Sequence, residues 1–177
     1  MIALREAVAR AGRAVAARWR TGGSRGSRPA DDGALRVAQE EPSPALVAAL
    51  EERLYEFNAD ATGLRDGRGL AVVARDARGA VAAAAAGYTW GGMSEVRQLW
   101  VRDDLRGRGL GTRLLREAEE EARRRGCDRM FLSTHSFQAP AFYRKLGYVE
   151  VAQVSGWPPG HGHIYLRKHL RAGSEGS

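Results

Sequence analysis

The chain has 177 residues and a formal net charge of +7, with 44% hydrophobic residues and one cysteine. That length suits one domain with a real core, and no apolar run approaches the roughly 18 residues a membrane helix needs, so a soluble protein is expected. Cys127 has no partner for an internal disulfide, which points to a reducing, cytoplasmic setting.

The charge is unevenly spread. Residues 1–30 hold seven arginines against one acid, Glu6, so the rest of the chain is nearly neutral and offers no domain-wide basic face for nucleic acid. Within this extension Leu4, Val8, Ala11, Val15 and Trp19 recur at helical spacing. TGGSRGSRPADDG then reads as a linker. Residues 1–33 are therefore either an anchor for an acidic surface or nucleic acid, or a flexible extension, and residues 172–177 a disordered tail. The folded domain is expected over 34–171.

From residue 34 the pattern is that of an α/β domain. Leu35 and Val37 suggest a first strand. A helix follows, capped by Ser43 and opened by Pro44, with Leu46, Leu50, Leu54 and Phe57 at helical spacing. LAVVARD and GAVAAAAAGYTW read as a hairpin turning at Gly79, the alanine run included. EVRQLWV, residues 95–101, alternates as a strand, placing Glu95, Arg97, Leu99 and Val101 on one face.

A glycine-rich stretch, RGRGLGT, leads into a helix running to about Arg125 with a buried stripe of Leu110, Leu114, Leu115, Ala118 and Ala122. Glu119, Glu120 and Glu121 are expected to pair outward with Arg123, Arg124 and Arg125. RMFLSTH (129–135) reads as a buried strand, QAPAFYRKLG as a short helix ended by Gly147, YVEVAQV as a strand, WPPGHGH as a loop and IYLRKHL as a closing strand.

The glycines carry the chemistry. A helix N-terminus leaves amides unpaired at the positive end of the dipole, which favours a phosphate, and Gly107, Gly109 and Gly111 let it approach the backbone. Arg106 and Arg108 can add charge-assisted contacts. Thr112 and Arg113 after Gly111 do not supply the Gly-Lys-Ser/Thr of a P-loop, and no carboxylate ends the next strand to hold a ribose.

Arg106, Gly109 and Gly111 between a strand and a long helix, joined to STHSFQAPAFYRKLGY, resemble the GNAT superfamily of acetyl-CoA-dependent N-acyltransferases over roughly residues 34–170. The resemblance implies a mixed, mostly antiparallel sheet of six to seven strands with helices on both faces. It also implies acetyl-CoA as cosubstrate, no metal, a small-molecule or peptide amine as acceptor, and a possible homodimer. By resemblance Leu99, Trp100 and Val101 take the pantetheine arm and Arg106, Gly107, Arg108, Gly109, Leu110, Gly111 and Thr112 the pyrophosphate. Gln138, Ala139 and Phe142 lie along the cofactor. Tyr143 would protonate the leaving thiolate, unless it is a packing residue.

A protonated amine must lose its proton before attack. Glu95, on the face assigned to Leu99, is either that base or a salt-bridge partner of Arg97. Tyr55, Trp90, His135 and Trp157 are expected to border the acceptor. His161 and His163 lack further ligands for a metal. A non-catalytic acyl-CoA sensor and an RNA-directed acetyltransferase using the basic extension are the alternatives.

Overall fold

The computed structural model describes residues 37–170. The arginine-rich segment, Leu35 and the tail from residue 171 lie outside them. The described residues form two units, 37–63 and 64–170. Among them no helix is long and apolar enough to cross a membrane.

The N-terminal unit contains helix α1, Pro44–Thr62. Ser43 is extended and its hydroxyl accepts from the Leu46 amide at 3.1 Å, so one orphan donor of the first turn is satisfied. Gly63, left-handed at φ 73°, ends the helix by donating its amide to the Ala59 carbonyl. Residues 37–43 form no strand and Val37 is fully exposed, contrary to the expectation from Leu35 and Val37. A lone apolar alternation makes no strand without a neighbour to complete its hydrogen bonds.

The second unit is a six-stranded, mostly antiparallel sheet. Its strands are β1 (Arg68–Arg75), β2 (Val81–Trp90), β3 (Met93–Val101), β4 (Arg129–His135), β5 (Val149–Ser155) and β6 (Gly162–His169), in the order β1-β2-β3-β4-β6-β5. Helix α2, Leu110–Arg124, follows β3, and the short α3, Pro140–Lys145, follows β4. The alanine run is strand despite its helix propensity: Ala82, Ala83 and Ala85 are buried between β1 and β3, where ladder bonds on both sides outweigh intrinsic preference. The β1–β2 turn is held by the Asp76 carboxylate, which accepts from the Arg78 and Ala80 amides. Arg102 ties that turn to the segment after β3, reaching Asp76 at 2.9 Å and Asp104 at 2.7 Å. Its hydrogen bond is the main reason the Asp76 carboxyl lies below the usual range.

Register shows a β-bulge in β3. Ala86 faces Gln98, but Gly87 faces Val96, so Arg97 is an extra residue. The bulge inverts the alternation: Val96, Leu99 and Val101 turn to the core, whereas Glu95 turns to the opposite face with its partners Tyr88 and Phe131. The expected shared face of Glu95 and Leu99 is thereby overturned. Gly87 makes the bulge possible, since a Cβ there would lie 1.8 Å from the Glu95 carbonyl oxygen. Gly87→Ala is expected to destabilise the domain by about 3 kcal/mol in denaturant titration, because backbone rather than a pliable side chain must yield.

The buried stripe of α2 is Leu114, Leu115, Ala118 and Ala122, with Leu110 partly buried, as its spacing predicts. Glu119 departs from expectation by facing inward. It lies at the i+4 position from Leu115, and its carboxylate accepts from Lys168 Nζ on β6 at 2.7 and 2.9 Å and from the Tyr148 hydroxyl at 3.0 Å. Of the expected pairs Glu121–Arg125 forms at 2.6 Å and Glu119–Arg123 stands at 3.6 Å, whereas Arg124 meets Glu121 rather than Glu120, which pairs with Arg123. Arg125 further donates to the Gly69 carbonyl on β1.

Candidate active site

Strands β3 and β4 run parallel but pair over only four positions, Met93–Val96 with Arg129–Leu132. Beyond them β3 continues to Val101 along β2, and β4 continues to His135 along β6. The two strands therefore part, leaving Leu99, Trp100 and Val101 with no strand on their β4 side. An extended ligand entering the gap would find unpaired main-chain groups, as at any strand edge.

The glycine loop begins where β3 ends. Gly107 and Gly109 are left-handed at φ 74° and 78°, a conformation that costs residues with a Cβ about 1–2 kcal/mol. Gly109 caps α2 with no side-chain acceptor. Among the described residues, none of the amides of residues 107–112 has a hydrogen-bond partner. Free amides at the positive end of a helix dipole are an arrangement that can accept an anion. Arg106 braces it, bonded to Asp103 at 2.6 Å and donating to the Val101 carbonyl at 3.2 Å. Arg108 is exposed beside it. A Cβ on Gly111 would stand 3.5 Å from Phe142 and 3.7 Å from Val101, so the end of β3, the start of α2 and α3 converge at one point.

Tyr143 is one of the core residues, 9% exposed, its ring 5.0 Å from Phe142 and 6.1 Å from Tyr148. Phe142 and Leu146 pack against the core as expected, though only partly buried, but this does not free Tyr143 to point elsewhere, since it belongs to the core itself. The Tyr143 hydroxyl bonds no other described residue, and burial raises its pKa. Gln138 holds local backbone: its carbonyl oxygen accepts from the His135 amide and the Thr134 hydroxyl, while Ala139 precedes α3 as its cap. Cys127 is buried, and burial raises its pKa, which fits no nucleophile.

Glu95 lies one residue before the strands part. It is 3.7 Å from Arg97, whose guanidinium sits over the Tyr88 ring at 4.7 Å. The Tyr88 phenol is shifted up, by burial first and Glu95 second.

On that same face His135 and His163 are cross-strand partners. Their rings stack at 4.4 Å with the Trp157 indole against both, and the Trp157 carbonyl contacts His135 Nδ1 at 3.2 Å. Of the four residues expected to border the acceptor, His135 and Trp157 are thus in contact with each other. Trp90 is not with them: it sits at the β2–β3 turn, at the other end of those strands from Val101, and donates to the Leu64 carbonyl. Tyr55 stands on α1 in the other unit. The sequence reading missed Phe131, Phe137 and Tyr165, which extend the stacked rings. Their signal was alternation at 131 and 135 against 163 and 165, legible only once β4 is paired with β6. No group of three metal-ligating side chains occurs among the described residues.

Residues 34–148 match the model of the acetyltransferase (GNAT) family. The chain is 36% identical over 140 residues to the blasticidin-S acetyltransferase of Streptomyces morookaense, spanning 77% of this chain and 96% of that one. Among solved structures it is similar to an acetyltransferase from Bacillus cereus, with a TM-score of 0.63 and 26% identity over 75% of this chain and 97% of that one. It is also similar to nourseothricin acetyltransferase, with a TM-score of 0.52 and 26% identity over 60% and 67% of the two chains.

Proposed function

This chain belongs to the GNAT family of acetyltransferases, and from that premise we propose that it transfers the acetyl group of acetyl-CoA directly to a primary amine while both are bound. The observation that carries the reading is the parting of β3 from β4 immediately before a loop of unpaired amides. On this reading the pantetheine arm lies against Leu99, Trp100 and Val101, and the pyrophosphate rests on residues 107–112. Arg106 holds the cradle in shape rather than reaching for the ligand, while Arg108 is free to meet a phosphate oxygen.

The amine gives up a proton to Glu95 or to a water it holds, and its nitrogen attacks the thioester carbonyl. As the C–S bond breaks, the departing sulfur takes the proton of the Tyr143 hydroxyl, and the phenolate regains one from the surplus proton that the nitrogen sheds on becoming an amide. The named acceptors of the relatives, blasticidin S and nourseothricin, support a small molecule as acceptor. The lone buried thiol of Cys127 suits a reducing, cytoplasmic compartment.

A thiol-release assay with acetyl-CoA across amine classes tests the proposal. Release of one thiol per acetylated amine is expected with at least one class. Tight coenzyme A binding without thiol release from any amine would instead make the chain a non-catalytic acyl-CoA binder. Within the cradle, Gly109→Val forces a side chain into the left-handed region. It is expected to raise the coenzyme A Kd about tenfold in calorimetry, equivalent to about 1.4 kcal/mol.

A further inference from the structure

Five rings stand in one row on the sheet face opposite α2. Phe137 lies on His135 at 5.1 Å and 7°, His135 on His163 at 4.4 Å and 26°, His163 on Tyr165 at 4.9 Å and 30°, and Tyr165 on Phe131 at 6.0 Å and 24°. The β4–β6 register produces this row by setting His135 against His163 and Ser133 against Tyr165. Trp157 closes one side, edge-on to both imidazoles. Phe137 and Trp157 are the open end, 55% and 53% exposed.

Three observations bear on what this row receives. Near-parallel ring planes offer flat π faces to a flat partner. Two imidazoles in contact repel if both are charged, and burial first and the neighbouring His135 second lower the pKa of His163. Every ring of the row comes from residues 129 to 170, a stretch whose one acid, Glu150, is paired with Arg144. On this face Glu95 stands beside Phe131, a single carboxylate for a single ammonium. A polycation such as a polyamine or an amino sugar would have to shed water from several charges with no counter-charge to replace it.

We propose that this ladder is the acceptor site and that it selects a primary monoamine carrying a flat aromatic or heteroaromatic ring, the ring seated at the Phe137–Trp157 end. The proposal rests on acetyl transfer as the activity. It is tested by thiol release from acetyl-CoA with tryptamine and histamine against spermidine and kanamycin, for the wild type, Trp157→Ala and Phe137→Leu.

The ring-bearing amines are expected to give the higher kcat/KM. Each variant is expected to raise their KM about tenfold, as loss of one aromatic contact implies, with coenzyme A affinity and melting temperature unchanged. Preference for spermidine or kanamycin, or an unchanged KM for ring amines in both variants, would overturn the assignment while leaving acetyl transfer standing. Coenzyme A binding with no thiol release from any amine would overturn the transfer itself.

Discussion

Tyr143→Phe is expected to lower kcat about 10²-fold while the Kd for coenzyme A stays within about twofold. The substitution removes one oxygen and keeps the ring, so packing against Phe142 and Tyr148 survives. What disappears is a hydroxyl that burial keeps protonated well beyond neutrality. A hundredfold loss corresponds to about 2.7 kcal/mol, within reach of one positioned proton donor. The phenol's pKa is raised in the folded state. Its contribution to stability is therefore full below the unfolded value near 10 and falls only as the pH rises beyond it. An alkaline decline of kcat that begins below about pH 9 would have to come from another group. If Tyr143→Phe instead lowers the melting temperature and leaves kcat intact, the residue is packing alone.

Lys168→Met is expected to cost about 3 kcal/mol of stability. The Glu119 side chain is 4% exposed and Lys168 supplies two of its hydrogen bonds. Removing the cation strands a carboxylate in the core, and breaking a buried pair from one side costs about 3–5 kcal/mol. Arg123 remains at 3.6 Å and the Tyr148 hydroxyl at 3.0 Å, which places the loss at the lower end. For a domain of this size that is a fall of roughly 6–12 °C in Tm. Adding Glu119→Leu to Lys168→Met is expected to recover most of it, because no buried charge is then left unpaired. A double variant as unstable as the single one would assign the loss to packing of the lysine stem.

Where structure is decided by neighbours in sequence, the sequence was readable. Ser43 and Pro44 open α1, and β4 spans the residues 129–135 that read as a strand. The glycine loop was equally legible, since the geometry that needs Gly107 and Gly109 is local. Distant partners decide what was missed. The bulge at Arg97 depends on Gly87 of the adjacent strand, and with it the face of Glu95. Glu119 turns inward for Lys168 and Tyr148, 49 and 29 residues away, so its spacing to Arg123 alone misplaced it. The ring ladder joins His135 to His163 across a strand pairing that no local pattern announces.

The four-pair seam between β3 and β4 also has a thermodynamic consequence. Past it the sheet has an interior edge, and a ligand lying there in extended form completes the hydrogen bonding as a further strand would. Such a ligand binds only the folded chain, so by mass action a cofactor at a hundred times its Kd adds about 2.7 kcal/mol to folding. If the proposed acyl donor is that ligand, the melting temperature of this protein would follow its supply, and the sheet would be finished by a molecule the chain does not encode.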